Sequence, residues 1–133
     1  MLKIRASVFV IVCIALSRAN LDELKPLFES LHKTCVSATG ISEDVVARAQ
    51  KGDFVNEEEV GCYMRCVIVE MGLFNEGKLD IERAINSVPE EIKTELAPVI
   101  RKCGVLVGAN ECQTAFLMCK CVFEENPSLY MLA

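Results

Sequence analysis

Residues 56–72 read NEEEVGCYMRCVIVEMG, and this stretch decides the fold. Val60, Met64, Val67, Ile68 and Met71 recur at three- and four-residue steps, the spacing of one face of an α-helix. Asn56 followed by Glu59 has the spacing of an N-terminal cap. Glu57, Glu58 and Glu59 suit the positive end of the helix dipole, and Gly72 suits the C-terminal cap. Cys62 and Cys66 stand at i and i+4 on that helix. Their Cβ atoms lie about 5–6 Å apart, whereas a disulfide needs about 3.5–4.5 Å. The two sulfurs therefore reach different distant segments, and one helix is stapled to two others.

Working outward, nearly every segment reads as helix. Leu21, Leu24, Leu27, Phe28 and Leu31 form an apolar stripe that runs close to Cys35, with Asn20 and Glu23 at cap spacing. Pro26 interrupts this stripe and predicts a kink or a late start. Gly40 marks a turn, Ser42 caps a short helix to about Ala49, and residues 50–53 are a loop by composition. Residues 75–78 form a turn. Asp80 caps a short helix that ends before Pro89, and Pro89 suits the first turn of the next. Ile92, Leu96, Val99, Ile100 and Cys103 are that helix's inner face. Gly104 and Gly108 break it, and Asn110 with Gln113 caps a last helix to about Val122. No strand alternates convincingly. The expected fold class is all-α, a compact bundle of about six short helices.

The N-terminus reads as a secretory signal over residues 1–19. Lys3 and Arg5 precede an apolar run from Ala6 to Leu16, shorter than the roughly 20 residues of a membrane span. Ser17-Arg18-Ala19 places small residues for cleavage before Asn20, with a cut after Ser17 as the rival. Residues 20–133 then form a single domain. Cleavage removes Lys3, Arg5, Arg18 and no acid, which deepens a formal charge already at −5. An acidic chain is a poor partner for nucleic acid or anionic membranes. The expected product is secreted, extracellular and not inserted in a membrane.

Of the eight cysteines, Cys13 leaves with the signal, and secretion makes disulfides the default for six of the rest. The short paired knuckles of zinc sites are absent, so no metal and no cofactor are expected. The order Cys35-x26-Cys62-x3-Cys66-x36-Cys103-x8-Cys112-x8-Cys121, with Gly52-Asp53-Phe54 ahead of Cys62-Tyr63-Met64-Arg65-Cys66, resembles the six-cysteine insect odorant-binding proteins of the pheromone and general odorant-binding type. The resemblance covers nearly all of residues 20–133. It implies the pairings Cys35–Cys66, Cys62–Cys112 and Cys103–Cys121. It also implies a stapled bundle around an apolar cavity that carries small volatile or lipid-like ligands. Cys119 departs from the pattern. It stands seven residues after Cys112 and so shares its helical face, where it competes for Cys62. It is expected as a buried or half-buried free thiol, the rivals being intermolecular pairing or an altered connectivity.

The lining of such a cavity comes from the apolar stripes. The candidates are Phe28, Leu31, Met64, Ile68, Met71, Leu73, Phe74, Leu79, Val88, Leu96, Val99, Ala115, Met118, Tyr130 and Leu132. An apolar residue at helical spacing is as often plain core. Methionines suit ligands of varied shape. Tyr63, Thr114 and Tyr130 are the polar groups within reach. Leu129 to Leu132 is an apolar cluster at a terminus, so the tail over residues 123–133 is read as a lid with Tyr130 and Leu132 inward. His32, the one histidine, sits beside Lys33 and is read as a surface residue.

The expected function is an extracellular carrier. It solubilises small hydrophobic ligands such as odorants, pheromones or lipids in an internal pocket and delivers them to a membrane receptor. An enzyme is disfavoured. A helical phospholipase needs a His–Asp pair and a calcium loop, and neither these nor a GxSxG or paired-carboxylate pattern is visible. The rival is a secreted, disulfide-stapled interaction protein, a signalling, venom or salivary component with a protein partner. The sequence leaves dimerisation open.

Overall fold

The structure is a computed structural model that describes residues 24–130. The signal segment 1–19, the cap at Asn20 and Glu23, and Leu132 lie outside the described residues. In chain order the elements are α1 over residues 24–39, α2 Glu43–Gln50, α3 Glu57–Glu70, α4 Ile81–Ser87, α5 Glu90–Cys103 and α6 Glu111–Glu125. A 3-10 turn, Pro127–Leu129, follows. The fold is all-α, apart from one short antiparallel pair.

Local chemistry sets the helix starts. The side chains of Ser42, Asn56, Asp80 and Asn110 each accept a hydrogen bond from the main-chain N–H three residues on, at 2.9–3.2 Å. This satisfies a donor that has no intrahelical partner. The α1 run stops at Gly40, whose φ of 71° lies in the left-handed region that glycine enters without strain.

The turn expected at residues 75–78 carries more structure than its sequence suggests. Phe74 pairs with Leu79 and Asn75 with Lys78 in an antiparallel ladder. Glu76 and Gly77 both have positive φ, 53° and 77°, the conformation of a tight two-residue hairpin. Two residues per strand are too few to show alternation.

The core is built on α3 and α6, which pack chiefly on each other. Val60, Tyr63 and Met64 from α3 and Ala115 from α6 are fully buried, as are Cys35 from α1 and Ala49 from α2. Gly61 permits the approach. A Cβ there would stand 2.4 Å from the Cys112 carbonyl oxygen. Three disulfides tie the helices: Cys35–Cys66 joins α1 to α3, Cys62–Cys112 joins α3 to α6, and Cys103–Cys121 joins α5 to α6. The first two close segments of 31 and 50 residues. Crosslinks of this span contribute about 2–4 kcal/mol each, largely by restricting the unfolded chain.

Candidate ligand groove

An apolar concavity lies between α1, the end of α3, the α4–α5 link and α5. Leu24, Leu27 and Phe28 form one wall, Glu70 and Met71 the floor's edge, Ser87, Val88 and Pro89 the corner, and Ile92 and Leu96 the facing wall; its volume is about 420 Å³. Small-molecule sites run to roughly 300–1,000 Å³. The walls follow from helical spacing. Leu24, Leu27 and Phe28 stand at i, i+3 and i+4, and Ile92 and Leu96 at i and i+4. Cys35–Cys66 pins the far end of α1 to α3, and Cys103–Cys121 pins the far end of α5 to α6, so both walls hang from crosslinks. Leu27 keeps 45% of its surface exposed, and the groove is open on that side.

The sequence-derived lining separates into groups. Phe28, Met71, Val88 and Leu96 line the groove. Leu31, Met64, Leu73, Ala115 and Met118 are buried in the interior. Ile68 and Phe74 pack against the buried cluster. Leu79 approaches Gly104 at the end of α5, and Val99 is half-buried. Leu24, Leu27 and Ile92 were absent from the expected lining. All three belong to apolar stripes visible in the sequence, and only the crossing of α1 over α5 turns those stripes toward one space.

A second apolar site gathers around the tail. The ring of Phe54 meets those of Phe116, Phe123 and Tyr130 at 5.4, 6.0 and 6.3 Å, and Phe123 meets Tyr130 at 5.3 Å, all edge to face. Such pairs add about 0.5–1.5 kcal/mol beyond burial. The Tyr130 hydroxyl donates to the Ala49 carbonyl at 2.8 Å. Burial, with the Cys119 thiol as a lesser cause, raises the Tyr130 hydroxyl above its ordinary range. Tyr130 thus turns inward, as expected of the tail, but against this cluster; none of its rings lines the groove.

Cys119 is a free thiol packed against the core, and burial pushes it from 9.0 up to about 12. The other polar candidates are committed elsewhere. Thr114 Oγ1 accepts from the Gly108 N–H at 2.8 Å. The buried Tyr63 hydroxyl stands 3.0 Å from His32 Nδ1, and His32 Nε2 stands 2.7 Å from Glu43 Oε2. Burial, then the Glu43 charge, moves Tyr63 up to about 12. His32 is therefore half-buried and links α1, α2 and α3, where its sequence neighbourhood suggested a surface position. That role depends on helix crossings that sequence spacing does not encode. Among the described residues no cluster of histidine, cysteine and acids could hold a metal ion. Nor is any helix among them long and apolar enough to cross a membrane.

Comparison with known proteins adds to this geometry. The model of the PBP/GOBP family matches residues 17–125. General odorant-binding protein 69a of Drosophila melanogaster is 28% identical over 98 residues, 72% of this chain and 66% of that protein. Odorant-binding protein 22 of Aedes aegypti is 27% identical over 135 residues, 96% of this chain and 94% of that protein. Among solved structures, odorant binding protein 5 of Apis mellifera superposes with a TM-score of 0.77 at 20% identity, covering 84% of this chain and 96% of its own. That last likeness bears on the fold.

Proposed function

Because this chain belongs to the PBP/GOBP family, we propose that it is an extracellular carrier of small hydrophobic molecules, held in the groove between α1 and α5. The relatives described above are named for odorant binding, and the same cargo class is proposed for this protein. The observation that carries the reading is the groove: about 420 Å³ walled by leucine, isoleucine, valine, methionine and phenylalanine. Apolar ligand surface removed from water contributes roughly 25 cal/mol per Å², and binding needs no covalent chemistry. In this reading residues 1–19 are the secretory leader, residues 20–133 are the carrier, and the cargo is handed to a membrane receptor.

The test is displacement of a neutral apolar fluorescent probe. Leu27→Glu places a charge on an exposed wall position and is expected to weaken probe binding at least tenfold, about 1.4 kcal/mol, with the fold intact by circular dichroism. Unchanged probe affinity in that variant removes the groove as the site. A chain ending at Asn126 separates two roles for the tail. Loss of a lid lowers ligand affinity, whereas loss of a strap over the Phe54 cluster lowers stability alone.

A second reading, a secreted protein-binding module, draws on one observation. Val105, Leu106 and Val107 are consecutive and 64%, 37% and 59% exposed. Absence of displaceable probe binding, together with a saturable protein partner lost on Val107→Asp, would favour it.

A further inference from the structure

The polar groups that reach the groove wall are acceptors. Among the described residues Glu70 is the one ionisable side chain on the wall, and it makes no ion pair with any of them. Ser87 also lines the wall, but its hydroxyl hydrogen is committed to the Ala84 carbonyl at 2.7 Å. What Ser87 offers a ligand is oxygen lone pairs. The main-chain donors are spent as well. The N–H groups of Met71, Val88 and Ile92 bond to the carbonyls of Val67, Ile85 and Pro89, and Pro89 has no N–H.

Lys25 lies against Phe28 in the neighbouring hollow and does not line the groove, and two further cations are engaged elsewhere. Lys93 Nζ stands 2.8 Å from Glu90 Oε1. Arg83 Nη1 donates to the Gly72 carbonyl at 3.2 Å, and Arg83 Nε lies 4.0 Å from Asp80 Oδ2. One feature favours an anion: the start of α5 beside Pro89, which has no side-chain cap. The first turn there already carries Glu90 and Glu91, which occupy the positive end of the dipole. A ligand carboxylate would meet Glu70 with no cation among the described wall residues, and an unpaired charge against apolar walls is expensive.

We propose that the groove selects apolar molecules that end in a hydroxyl and rejects carboxylates of the same chain length, with Glu70 and Ser87 as the specificity-determining residues. The inference rests on the groove being the ligand site. A hydroxyl donates to Glu70 or to the Ser87 oxygen. An aldehyde has no donor to offer, and a carboxylate adds repulsion.

The experiment is competition by decanol, decanal and decanoate against the neutral probe N-phenylnaphthylamine on the full chain at neutral pH. Decanol is expected to bind tightest, decanal about threefold to tenfold weaker for one lost hydrogen bond, and decanoate at least about tenfold weaker. Ser87→Ala should draw decanol toward decanal. Glu70→Lys, at an exposed position, should bring decanoate level with or ahead of decanol. Equal competition by decanol and decanoate, or a decanoate affinity that Glu70→Lys leaves unmoved, overturns the inference. The Leu27→Glu variant keeps the two failures apart. Probe binding lost in that variant while decanol and decanoate compete equally sinks the headgroup selection alone. Probe binding retained sinks the groove itself.

Discussion

Two apolar regions of this molecule are built from similar residues and end differently. In one, the tail brings Tyr130 against Phe54 and Phe123, the tyrosine hydroxyl finds the Ala49 carbonyl, and Phe116, packed on Phe54, is left 3% exposed. Between α1 and α5, no described element covers the stripes, and Leu27 stays 45% exposed. An apolar stripe thus becomes core or site according to whether another segment reaches it. Hydrophobicity does not distinguish the two, because the burial free energy per unit area is the same.

Truncating the two regions should break that symmetry most sharply. Phe116→Ala is expected to cost about 3–5 kcal/mol of stability, and Leu27→Ala less than about 1 kcal/mol, since exposed positions contribute little; urea unfolding of both variants checks the contrast. Equal losses would mean that the groove is packed as tightly as the cluster. Gly61→Val tests the platform on which both regions stand. Its side chain would press on the Cys112 carbonyl, and overpacking of this kind costs about 1–3 kcal/mol, read as a lowered denaturation midpoint.

Alkaline pH sharpens the comparison from the buried side. Tyr63 stays protonated in the fold to about 12 and Cys119 likewise to about 12, against ordinary values of 10.0 and 9.0. Above those ordinary values the unfolded chain releases protons that the folded chain keeps, so stability falls as pH rises. The loss should begin near pH 9 for the thiol and near pH 10 for the phenol and continue to about 12; guanidinium unfolding across this window measures it. Below pH 9 neither group should contribute a slope, and Cys119 should resist thiol reagents until the protein unfolds. On the buried side, a smaller effect than that of Phe116→Ala is expected of Tyr130→Phe. It removes the hydrogen bond to Ala49 and keeps the ring, for a cost of about 1 kcal/mol by thermal unfolding, with probe affinity unchanged if the tail is a strap.

The helices were legible because their signals are short-range. Ser42, Asn56, Asp80 and Asn110 cap the helices they precede, and the stripe of residues 56–72 is the buried face of α3. The i, i+4 placement of Cys62 and Cys66 required two separate partners. The resemblance implied Cys112 and Cys35, the same partners that the structure holds. The hairpin at Phe74–Leu79 was less legible, with two residues to a strand. The expected lining was legible only as apolar. Met64 and Ala115 went to the interior and Met71 and Leu96 to the groove, although all four sit on stripes of the same kind.

The chain's own order of residues determined where each helix begins, which face it buries and which cysteines cannot pair, because these depend on neighbours within about one turn. The tertiary structure alone decided which apolar faces meet, which stay open and that His32 bridges Tyr63 to Glu43. Those outcomes depend on how helices distant in sequence cross, and helical periodicity carries no information about the partner across the gap.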